Sequence, residues 1–130
     1  MASIFSKIIA GDIPCYFIAE NDSAFAFLDI NPLQEGHVLV VPKIEVNHYF
    51  DLEDADFIEV NKLAKRIANA MRKSFDCLRI GEAVIGLEVP HAHVHLVPIN
   101  KMSDIDFTQP KLNPSKERMQ ELAELIKSNL

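Results

Sequence analysis

The run His91-Ala92-His93-Val94-His95-Leu96-Val97-Pro98 places three of the chain's five histidines at alternate positions. In a helix, His91 and His95 would share a face and His93 would point nearly opposite. In a strand, side chains alternate, so all three imidazoles face one way. The β-branched Val89, Val94 and Val97 favour the strand. We therefore expect a row of three imidazoles on one face, with Ala92, Val94 and Leu96 turned into the core. A strand face that merely met solvent would carry Thr, Lys, Glu or Ser instead. Neighbouring imidazoles also depress one another's protonation, so some of the row is expected to be neutral near pH 7.

Neutral imidazoles suit two chemistries. They can hold a metal, and an HxH pair with a third histidine is a zinc geometry. Alternatively, one ring can attack phosphorus while its neighbours donate to phosphate oxygens. The only carboxylate nearby in sequence is Glu88. We favour phosphate chemistry, assign no metal ligand and expect no cofactor.

The surrounding elements must position that row. Ser3 to Ala10 reads as a short helix, with Ser3 as its N-cap and Gly11 as its stop. Strands are expected at Cys15–Ala19, Ala24–Asp29 and His37–Pro42, the last apolar enough for burial on both faces. Asp51 to Phe75 reads as the long helix, capped by Asp51. Phe57, Val60, Ala64, Ile67, Met71 and Phe75 form its apolar stripe. Two more strands are expected at Leu78–Ile85 and Pro90–Pro98. A final helix should open with Pro114 at its first position and line its inner face with Met119, Leu122 and Ile126. Short turns between neighbouring strands favour antiparallel pairing. The pattern is α+β: a five-stranded antiparallel sheet with a long central helix and short terminal helices, in one domain spanning residues 1–130.

Composition bounds the partners. The 130 residues are 48% hydrophobic and carry a net charge of −6. This excludes a general nucleic-acid binder, which would show a basic patch. It leaves room for a small anionic ligand held at a locally positive site. No apolar run approaches the ~20 residues of a membrane span, and the first residues lack the pattern of a signal peptide. Cys15 and Cys77 form no motif and read as reduced thiols. These features together point to the cytoplasm. His48 reads as a surface or loop residue, and the Lys62, Lys65, Arg66, Arg72 and Lys73 group as a solvated helix face.

The run His91 to Val97 resembles the signature His-φ-His-φ-His-φ-φ (φ apolar) of the histidine-triad (HIT) family of nucleotide hydrolases and transferases. Three further stretches are similar to segments of that family: Phe5 to Pro14, Phe27 to Pro32, and Gly36 to Lys43. The likeness spans residues 3–99, in the family's order. It implies a HIT-like domain that commonly forms a homodimer. It implies hydrolysis at the α-phosphate of a purine nucleotide conjugate, such as a nucleoside phosphoramidate or a dinucleoside polyphosphate. By the same resemblance, His93 is the nucleophile of a nucleotidyl-histidine intermediate. His91 and His95 fix it and donate to phosphate, and His37 completes the site. Asp29 accepts from ribose hydroxyls, although its place before Asn31-Pro32 also suits a turn. Ile4, Phe5, Ile8, Phe27 and Ile30 form the purine slot, each of them equally able to be ordinary core. Gly86 and Glu88 border the substrate.

The chain departs from the family pattern in several places. Leu87 stands where many relatives have Gln. Glu88 occupies a position that is a hydroxyl residue or Glu in many, so this chain lacks the hydroxyl that assists the leaving group in some, and Arg79-Ile80-Gly81-Glu82 supplies no Asn. Ser3 and Ser6 stand where some relatives have a zinc-binding Cys-x-x-Cys, so no structural zinc is expected there. Nucleotidyl transfer, a nucleotide-binding module with little turnover and a zinc hydrolase remain as alternative readings.

Overall fold

The computed structural model describes residues 2–130. Its elements are α1 (Ile4–Ile9), β1 (Phe17–Glu20), β2 (Ala24–Leu28), β3 (Val38–Pro42), α2 (Asp54–Ser74), β4 (Arg79–Ala83), β5 (Val94–Ile99) and α3 (Lys116–Ser128). Short 3-10 turns lie at Tyr49–Asp51 and Met102–Ile105. The five strands form one antiparallel sheet in the order β1-β2-β3-β5-β4. This is the α+β architecture expected from the alternation of short apolar runs with one long amphipathic segment.

The sheet is covered on both faces, which explains why β2 and β3 are buried along their whole length. On one face α2 and α3 bury Val60, Ile67, Met71, Leu122 and Ile126 against Ala26, Val40, Val94 and Leu96. On the other, α1 lays Phe5 over Phe25, Phe27, Leu39 and Val41. The stripe expected on the long helix is therefore its core face, with Phe57 and Phe75 partly buried at its ends. Leu39 pairs with His95 across β3 and β5. That register puts the histidine on the α1 face and leaves Val94 and Leu96 for the main core.

Several boundaries differ from expectation, each for a local reason. The histidine strand begins at Val94, not Pro90. Its partner β3 ends at Pro42, whose carbonyl accepts from the His91 ring instead of from a ladder N–H. His91 and His93 thus lie in an extended lead-in. α2 begins at Asp54, because Asp51 closes the preceding 3-10 turn and Glu53 takes the cap position without a side-chain bond. α3 begins at Lys116, since the Ser115 hydroxyl caps the Arg118 N–H and Pro114 lies before the cap. β1 starts at Phe17, and its register slips between Phe17 and Ala19, leaving Cys15 to line a cavity. β4 ends at Ala83; beyond it the chain turns at Gly86, where φ is +73°.

Candidate active site

Four histidines meet at the end of the sheet under α1, and hydrogen bonding sets the proton positions on them. The peptide N–H of Leu33 donates to His37 Nδ1 (3.0 Å), so the hydrogen of a neutral His37 ring is on Nε2. That nitrogen lies 3.0 Å from His95 Nδ1 and donates to it. A neutral His95 therefore carries its own hydrogen on Nε2. At His93, Nδ1 lies 2.7 Å from the carbonyl oxygen of His91, which can only accept, so Nδ1 carries the hydrogen. In a neutral His93 ring the lone pair is on Nε2, which makes no hydrogen bond among the described residues and is not sealed from solvent.

His37 and His95 are neutral for a physical reason. Burial, with smaller contributions from Lys111 and His93, lowers the His37 pKa to about 4. Burial, then the charges of His37, His93 and Lys111, lowers that of His95 to about 3. His91 is also shifted down, chiefly by burial. The site thus presents His95 Nε2–H as a neutral donor. The ring of His91 has no donor to spare. Its Nε2 is bound to the Pro42 carbonyl (2.8 Å) and its Nδ1 to the Ser3 hydroxyl (2.7 Å). It meets His93 through its backbone carbonyl.

A cavity of about 230 Å³ opens beside His93 and His95. Ile4, Phe5, Ile8, Phe27 and Ile30 line it, as expected, together with Asp29, Glu88 and several residues the motifs did not single out: Ile13, Pro14, Cys15, Leu39 and Val89. Phe5 sits edge-on to His93 (5.0 Å between centroids) and to Phe27 (5.6 Å). Ile30 is exposed and forms the rim. Asp29 serves the turn and also lines the cavity. Oδ1 accepts from the Asn31 N–H of the turn (2.9 Å), and Oδ2 lies 3.6 Å from His37 Nε2. With His37 neutral, that approach is polar contact rather than an ion pair. Burial raises the Asp29 pKa.

Gly86 is not in this cavity. It borders two neighbouring ones, one shared with His48, Tyr49, Phe50 and His93, the other with Leu87, Glu88, His93, His95, Phe107 and Thr108. His48 is exposed, yet it stands near the nucleophile candidate, which its isolation in the sequence did not suggest. Phe107 packs its ring 4.7 Å from that of His95; it follows the motif region, and no sequence signal marked it.

Among the described residues, Asp29, His37 and His95 could each offer a ligand atom to one ion, these atoms lying within 4.8 Å of one another. His37 Nε2 and His95 Nδ1 are hydrogen-bonded to each other, so a metal taking those two atoms would have to displace that bond. At the other edge of the site, the Ser3 and Ser6 hydroxyls hydrogen-bond to His91 and Glu45.

Comparison with known proteins agrees with this architecture. Residues 10–102 match the family described as "HIT domain". The chain is 36% identical over 135 residues to a HIT-like protein of Borreliella burgdorferi, covering 98% of this chain and 97% of that one. It is 33% identical over 132 residues to adenosine 5'-monophosphoramidase hnt1 of Schizosaccharomyces pombe, covering 100% and 99%. The crystal structure of a Hit-like protein from Bartonella henselae superposes with a TM-score of 0.86 at 28% identity, covering 98% and 96%.

Proposed function

The chain belongs to the HIT family, and from that premise we propose that it hydrolyses purine nucleotide conjugates at the α-phosphate, with His93 as nucleophile. The coarse activity, nucleotide hydrolysis, accords with the phosphoramidase that it resembles along its full length. The observation that carries the finer reading is the 2.7 Å bond from His93 Nδ1–H to the His91 carbonyl. It fixes the tautomer of the neutral ring, in which Nε2 carries the lone pair, and that ring lines the cavity.

In the first step, His93 Nε2 forms a bond to the α-phosphorus as the bond to the leaving group breaks. The leaving group takes the electron pair and a proton. In the second step, water attacks the phosphorus and returns a proton to the group that protonated the leaving group, the N–P bond breaks and nucleoside monophosphate is released. His95 Nε2–H donates to a phosphate oxygen without carrying a full charge. Donors aimed where charge develops are worth most in a water-poor site. Asp29 Oδ2 accepts from the ribose, and Phe5, Ile8 and Phe27 flank the base. Glu88 lines both this cavity and the neighbouring one bordered by Phe107, and we assign it the transfer of a proton to the leaving group.

A nucleoside phosphoramidate is the substrate we propose first. Mixing the protein with an adenosine phosphoramidate, quenching early and weighing it intact should reveal an adenylyl adduct that His93→Ala lacks. Release of AMP without an adduct, with His93→Ala still active, would remove His93 from the mechanism. We also propose that two copies pair, as the family resemblance implies.

A further inference from the structure

A chain of short hydrogen bonds runs from an exposed carboxylate to the nucleophile, through residues that the reaction itself does not use. Glu45 Oε1 accepts from the Ser3 peptide N–H (2.6 Å) and from the Ser6 hydroxyl (2.7 Å). The Ser3 hydroxyl meets His91 Nδ1 at 2.7 Å. His91 Nε2 meets the Pro42 carbonyl at 2.8 Å, and the His91 carbonyl accepts from His93 Nδ1 at 2.7 Å. We propose that Ser3 and Glu45 are positioning residues, which hold the His91 ring and thereby aim His93.

The proton directions are mutually consistent. The Pro42 carbonyl can only accept, so His91 Nε2 carries a hydrogen, and in the neutral ring Nδ1 is an acceptor. The Ser3 hydroxyl must then donate to it. Its oxygen is left to accept the Ser6 N–H (3.0 Å), which is also the N-cap bond of α1. The Ser6 hydroxyl is free to donate to Glu45. Each hydrogen has one acceptor, and no buried side-chain polar atom is orphaned among the described residues.

The burial pattern supports a positioning role. His91 is fully buried and Ser3 is buried, while Glu45 is exposed. A ring held at both nitrogens cannot rotate, so the peptide that carries it, and the carbonyl that His93 needs, are held as well. Ser3 also starts the helix that bears Phe5, whose ring is edge-on to both His91 (5.7 Å) and His93 (5.0 Å). One hydroxyl therefore joins the wall of the cavity to the nucleophile. Bonds to the Ser3 N–H and the Ser6 hydroxyl lower the Glu45 pKa to about 2, so the anchor stays ionised across the physiological range.

The test must separate this role from simple helix capping. Glycine at an N-cap keeps most of the cap's stability but has no hydroxyl, so Ser3→Gly removes the donor to His91 and leaves the helix. The catalytic consequence rests on the function proposed above. With an adenosine phosphoramidate, Ser3→Gly should lower kcat about tenfold and change KM less than about twofold. Ser3→Thr, which restores a hydroxyl, should recover most of kcat. Glu45→Ala should act in the same direction, and Glu45→Gln, which still accepts, should not.

A second readout needs no turnover. Nitrogen-15 spectra of the imidazoles at pH 7 should show the His91 Nδ1 resonance moving in Ser3→Gly and returning in Ser3→Thr, with the His93 ring losing its single tautomer in Ser3→Gly alone. If His91 and His93 resonances are unchanged in Ser3→Gly, the positioning role is wrong, whatever the activity. If they move as expected but the wild type turns over no nucleotide conjugate, the proposed reaction fails and the relay stands. If they move and kcat does not, the relay is structural and the proposal is overturned.

Discussion

At the scale of residues, the site is defined by which nitrogen carries which hydrogen. His37 and His95 titrate at about 4 and about 3. Neither ring should therefore contribute a step to the pH–rate profile above pH 5. Asp29 differs, because burial raises its pKa. An acceptor for ribose hydroxyls must be ionised, so KM should rise as pH falls through a value above the usual 3.8 of an aspartate. Asp29→Ala should raise KM at pH 7 by about tenfold or more, the size of a lost charge-assisted hydrogen bond, and should remove that acid-side rise. Steady-state kinetics of both proteins from pH 4 to 8 check this. Glu88→Gln should lower kcat several-fold on a phosphoramidate, where the departing nitrogen needs a proton, and less on a substrate with an acidic leaving group. Equal loss on both would remove Glu88 from proton transfer. The histidine row was visible in its spacing. That a carbonyl, that of His91, holds His93 Nδ1 is a local contact, but that the His91 ring is occupied by Ser3 and Pro42 follows from contacts between residues distant in the chain.

At the scale of elements, the short pieces around the site are set by backbone chemistry. Gly36 precedes the β3 strand with φ at +89°, and a Cβ there would collide with the ring of Phe75. Gly36→Ala should destabilise by more than about 1 kcal/mol and should weaken catalysis as well, because His37 is the next residue. A melting temperature within a degree of wild type would show that the ring moves aside easily. α1 has only six residues, too few to persist alone. It is held by the Ser3 cap, the Glu45 contacts and the burial of Phe5. Sequence periodicity located every helix and strand, since periods near 2 and 3.6 survive in any context. The exact ends did not follow. Pro42 ends its strand, but its carbonyl then binds an imidazole, and the histidine strand loses its first residues. Asp51 was displaced as a cap by a 3-10 turn of its own.

At the scale of the whole molecule, stability and assembly carry their own predictions. Buried neutral histidines bind fewer protons folded than unfolded between their lowered pKa values and the ordinary 6.5. Stability therefore rises with pH through that window and is lost as pH falls from about 6.5 towards 4. Calorimetry should show the melting temperature falling across that range; a flat profile would place the rings in water. Phe50, Leu78, Leu87 and Met102 are each more than three-quarters exposed, the kind of surface that association covers. Sedimentation should give twice the 14.6 kDa chain mass, and no helix of the described residues is long and apolar enough to cross a membrane. By itself, the sequence determined the α+β class, the antiparallel pairing, the face on which the histidines lie and the family. These depend on periodicity and on residue types at fixed spacing, which are local. Only the tertiary structure decided which ring is held by which partner, where Gly86, His48 and Phe107 fall, and how Glu45 comes to touch Ser3. Those contacts join residues far apart in the chain, and they exist only once the sheet has brought its ends together.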